Sequence, residues 1–216
     1  MTTTKTNLGD KRSIQITRIA SSLVGAIPYV GPVVQAIVAE LIPNTRVERL
    51  EKFVLELRDR LDDEQLKLST ATEEGLDTFE EGMWQAARAL SDDRRKKIAA
   101  LVSTALTGED LAKQLARHFL RVLNQLGDAD IAILIEYAEG KRSMLGSLVY
   151  NPILDDDAER SKQITILERS RCMLLSSFGL LQAVEEGLDN PMFEITRTGR
   201  DFVEFLDFDK TEEQPE

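Results

Sequence analysis

From Asn44 onward, apolar residues return every three or four positions, the spacing of helices that each bury one face. In NTRVERLEKFVLELRDRLDDEQLKL, Val47, Leu50, Val54, Leu57 and Leu61 form a coiled-coil-like seam, and Asn44 or Thr45 is placed to cap its start. TEEGLDTFEEGMWQAARAL continues in kind, with Leu76, Phe79, Met83, Ala87 and Leu90 on one face. Ser91 then reads as an N-cap, with Asp92 and Asp93 in the first turn, where the helix dipole favours carboxylates. The helix it starts runs through Ile98, Leu101, Val102, Ala105 and Leu106 and is expected to stop at Gly108. EDLAKQLARHFLRVLNQLG follows, with Leu111, Leu115, Phe119, Val122 and Leu126 inward and Gly127 closing it.

Ahead of these helices the pattern is different. Between Ala20 and Ile42 the chain is almost continuously apolar, close to the roughly 20 residues that one helix needs to span a bilayer. Gly25, Pro28, Gly31 and Pro32 interrupt it, so two short apolar helices joined by an IPYVGP corner are expected instead. Such a hairpin either plugs the end of a helical bundle or docks on a membrane or a protein partner through Leu23, Ile27, Tyr29, Val30, Val33, Val34 and Ile37. Each arm, at about a dozen residues, is too short to cross the hydrocarbon alone. Lys5, Lys11, Arg12 and Arg18 make this end locally basic, which favours anionic headgroups.

The texture changes again at Asp128. DADIAILIEYAEG predicts a short helix ending at Gly140, and an irregular connection containing Asn151-Pro152 leads to a long helix from about Ala158 to Phe178, with Ile164, Leu167, Leu174 and Phe178 facing inward. LLQAV and MFEIT flank the turn EEGLDNP, and TGRDFVEFLDF predicts a last helix. The LL, FEIT and TGRDFVEF segments resemble the winged-helix pattern, in which two strands form a wing and a capped helix returns over the core. That resemblance covers roughly the last 90 residues.

The fold expected is therefore mainly α. Residues 1–12 form a flexible N-terminus and residues 13–127 a helical bundle that includes the apolar hairpin 20–42. Residues 128–208 form a winged-helix-like module with a short β-hairpin, and residues 209–216 an acidic tail. ALSDDRRKKIAALVSTAL together with the terminal GLL and FEITRTGRDF is also similar to helical bacterial abortive-infection (phage-defence) proteins of the alpha type. That likeness implies a role in phage defence and carries no catalytic residues with it.

Composition narrows the chemistry. The 216 residues are 42% hydrophobic and 30% charged, which fits a globular chain, and only 12 glycines and 6 prolines favour helices over a turn-rich β architecture. A net charge of -11 argues against coating nucleic acid or anionic lipid over the whole surface, so any such contact must be local. One cysteine and one histidine exclude a disulfide framework and a Cys/His zinc cluster built from one chain. His118 and Cys172 are expected to be structural, and Asp155, Asp156 and Asp157 to cap the long helix rather than hold a metal. The sequence has no P-loop, nucleophile elbow, H-E-x-x-H or dinucleotide fingerprint. No enzyme, cofactor or metal is expected.

The polar first residues predict a cytoplasmic protein, with the hairpin allowing a peripheral place at the inner membrane. Its expected work is through protein or membrane contacts. The alternative is a winged-helix DNA-binding regulator using Lys162, Arg169, Arg171, Arg197 and Arg200. Glu159, Glu168, Glu185, Glu186, Glu194 and the three aspartates from Asp155 weaken the field around those cations, which ranks nucleic acid second. A homo-oligomer is compatible with either role.

Overall fold

The computed structural model describes residues 44–141, 158–184 and 192–206. The apolar hairpin 20–42 with its seven docking residues, the N-terminus, Asp155 to Asp157 and the acidic tail lie outside the described residues. The elements are α1 (Asn44–Arg60), α2 (Asp63–Thr70), α3 (Glu73–Arg88), α4 (Asp92–Thr107), α5 (Asp110–Gln125), α6 (Asp128–Ala138), α7 (Ala158–Ser177), β1 (Leu181–Val184), β2 (Met192–Ile195) and α8 (Arg197–Leu206). The described chain is thus mainly helical, and its only strands form one antiparallel pair. It divides into two compact units, up to Arg121 and from Val122, with the division inside α5.

In the first unit α1, α3 and α4 pack on one another, and α2 lies against α3 and α4. The core they share includes Leu50, Phe53, Leu57, Phe79, Met83, Ile98, Leu101 and Val102, all buried. The expected single helix from Asn44 through Leu68 is two. Asp62 breaks it: its carboxylate accepts from the Gln65 amide at 2.7 Å while the Gln65 side chain accepts from the Asp62 amide at 3.1 Å, a reciprocal cap that starts α2. Ser91 caps α4 as expected, accepting from the Arg94 amide at 3.2 Å. Leu90 is exposed rather than inward, because α3 ends at Arg88 and Ala89 is extended, which carries Leu90 off the helical face. Leu111 and Leu115 are also exposed; the buried stripe of α5 begins at Ala116, Phe119 and Leu120.

Gly82 marks a close approach of α3 to α1 and α4. A Cβ there would lie 2.5 Å from Val102 Cγ2 and 3.3 Å from Phe53 Cζ. Gly82→Ala is therefore expected to cost about 2 kcal/mol by overpacking. In urea unfolding, a Val102→Ala change should recover part of that loss in the double variant, since it removes the opposing methyls.

In the second unit α6 is central and touches α7, α8 and β2. Leu134, Leu175, Leu180, Leu181 and Phe202 are its most deeply buried side chains besides Leu123. β1 pairs with β2 in the register Leu181 with Ile195, Gln182 with Glu194, Ala183 with Phe193 and Val184 with Met192. Both α6 and α7 end on a left-handed glycine, Gly140 (φ 69°) and Gly179 (φ 70°). In each case the next amide reaches back five residues, Lys141 to the Glu136 carbonyl at 2.9 Å and Leu180 to the Leu175 carbonyl at 3.0 Å. Thr196 then joins the hairpin to α8. Its hydroxyl donates to the Gly179 carbonyl at 2.6 Å and accepts from the Gly199 amide at 2.9 Å, and its own amide donates to the Leu180 carbonyl at 3.1 Å.

Candidate functional site

The feature that ordinary packing leaves unexplained is the outer face of α7. Its inner face is set by Cys172 and Leu175, both buried, and by Arg171, whose Nε pairs with the buried Asp130 carboxylate of α6 at 3.5 Å. The Tyr137 hydroxyl of α6 lies 4.0 Å from Cys172 Sγ. Asp130 is itself fixed by accepting from the Gly127 amide at 2.8 Å, so the rotation of α7 about its axis is anchored at its C-terminal half.

With that rotation, Ile166 (60% exposed), Leu167 (51%), Met173 (57%) and Leu174 (37%) lie on the side away from Leu175. At 3.6 residues per turn all four fall within about 60° of the direction of Ser170. Gln163, Ser170 and Ser177 share the face, so its centre carries no charge. The expectation that Ile164, Leu167 and Leu174 face inward is overturned; all three are exposed, and Phe178 is half-buried. Ile166 and Met173, which are not among the residues expected to face inward, belong to the same stripe. The signal that finds them is the presence of apolar side chains all round the helix, which marks a helix meant to be covered on more than one side.

The cations assigned to DNA are scattered in their surroundings. Lys162 and Arg169 are exposed on α7, Arg171 is held by Asp130, and Arg197 and Arg200 are exposed in the first turn of α8. His118 is exposed beside Phe119, with ring centroids 5.8 Å apart, and Cys172 is buried.

A pocket of about 470 Å³ lies in the first unit, where Ser69, Thr72, Gly75, Leu106, Lys113 and Arg117 line it. Glu74 and Asp110 also line it, and Arg117 is ion-paired with Glu74. Burial, and then the neighbouring Arg121, lowers the proton affinity of Arg117. Burial likewise lowers that of Arg95, with Arg49 adding to it and Glu56 opposing. Both changes follow from desolvating a guanidinium and leave it charged at neutral pH. The pocket thus offers two acids and two bases with its strongest cation already neutralised, a lining that selects no ligand class. Among the described residues no group of three or more His, Cys, Asp or Glu is placed to hold a metal, and no helix is long and apolar enough to cross a membrane.

The class that these observations define is a mainly helical protein with, among the described residues, one small antiparallel pair of strands. Compared with models of known families, with curated proteins and with solved structures, the chain matches none.

Proposed function

We propose that this chain is a non-enzymatic protein that works through contacts with a protein partner or a membrane surface. The observation that carries the reading is the outer face of α7, where Ile166, Leu167, Met173 and Leu174 together expose an uncharged apolar stripe. Single exposed leucines are ordinary on a protein surface, whereas a contiguous apolar face costs solubility and marks an interaction site. A helix that enters the major groove needs cations against the phosphates beside the side chains that reach base edges, and this stripe carries no cation at its centre. The order α6, α7, β1, β2, α8 supports a winged-helix-like module in which the hairpin is the wing, used here for docking. The likeness of ALSDDRRKKIAALVSTAL and FEITRTGRDF to alpha-type abortive-infection proteins adds a bacterial, phage-defence setting. The apolar sequence of residues 20–42 is a second candidate for contacts of the same chemistry.

The test is flotation with anionic vesicles run beside a DNA mobility shift at matched salt. Wild-type protein should float and leave DNA unshifted. Val34→Asp should sink with an unchanged melting temperature, because binding at a membrane interface depends on the apolar area that the segment contributes. A submicromolar, salt-sensitive DNA shift abolished by Arg197→Ala with Arg200→Ala, without flotation, would replace this reading with a DNA-binding regulator.

A further inference from the structure

The exposed stripe of α7 is symmetric in sequence about one residue. Counting from Ser170, the apolar positions are Leu167 and Met173 at three residues either side, and Ile166 and Leu174 at four. Gln163 and Ser177, polar and uncharged, stand at seven either side. A two-fold interface requires this kind of patch, since every residue on it must meet the complement that the same patch supplies from the other copy. A partner of different sequence imposes no such requirement.

We infer that the outer face of α7 is a self-association surface, on which two copies of this chain pair their α7 helices antiparallel with Ser170 at the dyad. The inference rests on reading this face as a contact surface and names its occupant. In that pairing a residue n positions before Ser170 faces the residue n positions after it. Ile166 of one copy meets Leu174 of the other, Leu167 meets Met173, and Gln163 lies beside Ser177. Ser170, a small side chain at the centre of the stripe, sits where the helix axes come closest. The spacing of the apolar positions, at three and four residues, is that of helices packed side by side at a shallow angle.

The area argues for a weak dimer. At 37% to 60% exposure, the four side chains leave on the order of 400 Å² of apolar surface per copy, and the flanking polar residues bring the total near the lower limit of specific interfaces, roughly 600 Å² a side. The pairing should therefore be concentration-dependent in the micromolar range. Because its central residues are uncharged, salt should not weaken it, in contrast to association with an anionic lipid surface.

Sedimentation of the full chain between 1 and 200 µM, at low and high salt, reads the mass directly. The expected result is a reversible shift from 24.3 kDa toward twice that mass, unaffected or strengthened by salt. Ile166→Asp and Met173→Asp should each weaken it at least tenfold while leaving the melting temperature unchanged. Geometry is read by cysteine cross-linking with diamide. Ser170→Cys should form a disulfide dimer and Gln163→Cys alone should not, whereas Gln163→Cys mixed with Ser177→Cys should cross-link; Cys172, buried on the opposite face, supplies the wild-type control. A wild-type chain that stays monomeric to 200 µM overturns the inference, and so does a dimer that Gln163→Cys alone cross-links, which would be parallel. Neither result touches the contact reading, which stands or falls on vesicle flotation and the DNA shift.

Discussion

Gly199→Ala is expected to unfold the second unit well below the wild-type melting temperature. A Cβ at this position would lie 2.2 Å from the Leu180 carbonyl oxygen and 2.8 Å from Ile195 Cγ1. The first obstacle is backbone, and that backbone is committed: the Leu180 carbonyl already accepts the Thr196 amide, and the Leu180 amide closes the end of α7. Relief requires α8 to move off the hairpin, which breaks the Thr196 cap and uncovers Phe202 and Val203, both buried. Overpacking against an immovable neighbour lies at the upper end of its usual range, so a loss of about 3 kcal/mol is expected. Hydrogen exchange is the measurement of choice, because it separates the units. Protection should fall in α6, α7 and α8 and persist in α1, α3 and α4, whereas full protection in α8 would show that the crossing is looser than its geometry implies.

The second large effect is a contrast within one helix. Leu175→Asp puts a carboxylate where the side chain is fully buried, and the unit should lose more than about 3 kcal/mol. Ile166→Asp places the same group nine residues away on the opposite face and should stay within about 0.5 kcal/mol of wild type. Thermal unfolding of the two variants side by side fixes the rotation of α7. Equal destabilisation by both would mean that the outer face is covered within the single chain.

Much of the helical plan was legible in the residues. Ser91 followed by two aspartates, and the glycines after α4 and α6, are local signals whose physics needs no tertiary partner. Leu181, Phe193 and Ile195 likewise announced the hairpin. What was missed depended on competition between signals. The Asp62 and Gln65 cap interrupts a seam that hydrophobic spacing alone runs straight through, because spacing carries no information about where a side chain captures its own backbone. Leu111 and Leu115 were drawn inward by their four-residue steps, although the helix buries Ala116 and Leu120 instead, a face that spacing alone ranks no higher.

The candidate site shows the same limit more sharply. α7 has two apolar registers, one through Ile164, Leu167 and Leu174 and one through Cys172 and Leu175, and periodicity cannot rank them. The choice is made by α6, through the Asp130 carboxylate held at Gly127 and facing Arg171, and through the approach of Tyr137 to Cys172. An interaction between segments more than 30 residues apart in the chain thus decides which leucines reach solvent.

The burial of Cys172 has a practical corollary. It is the chain's single thiol and is 5% exposed, so an alkylating reagent reaches its sulfur only during transient openings of the second unit. The labelling rate, divided by that of a small-molecule thiol under the same conditions, is then the opening equilibrium constant of this unit alone. The protein thus carries a native clock for local opening. Its rate should slow as concentration rises if opening must first separate paired copies, and should be indifferent to concentration if it need not.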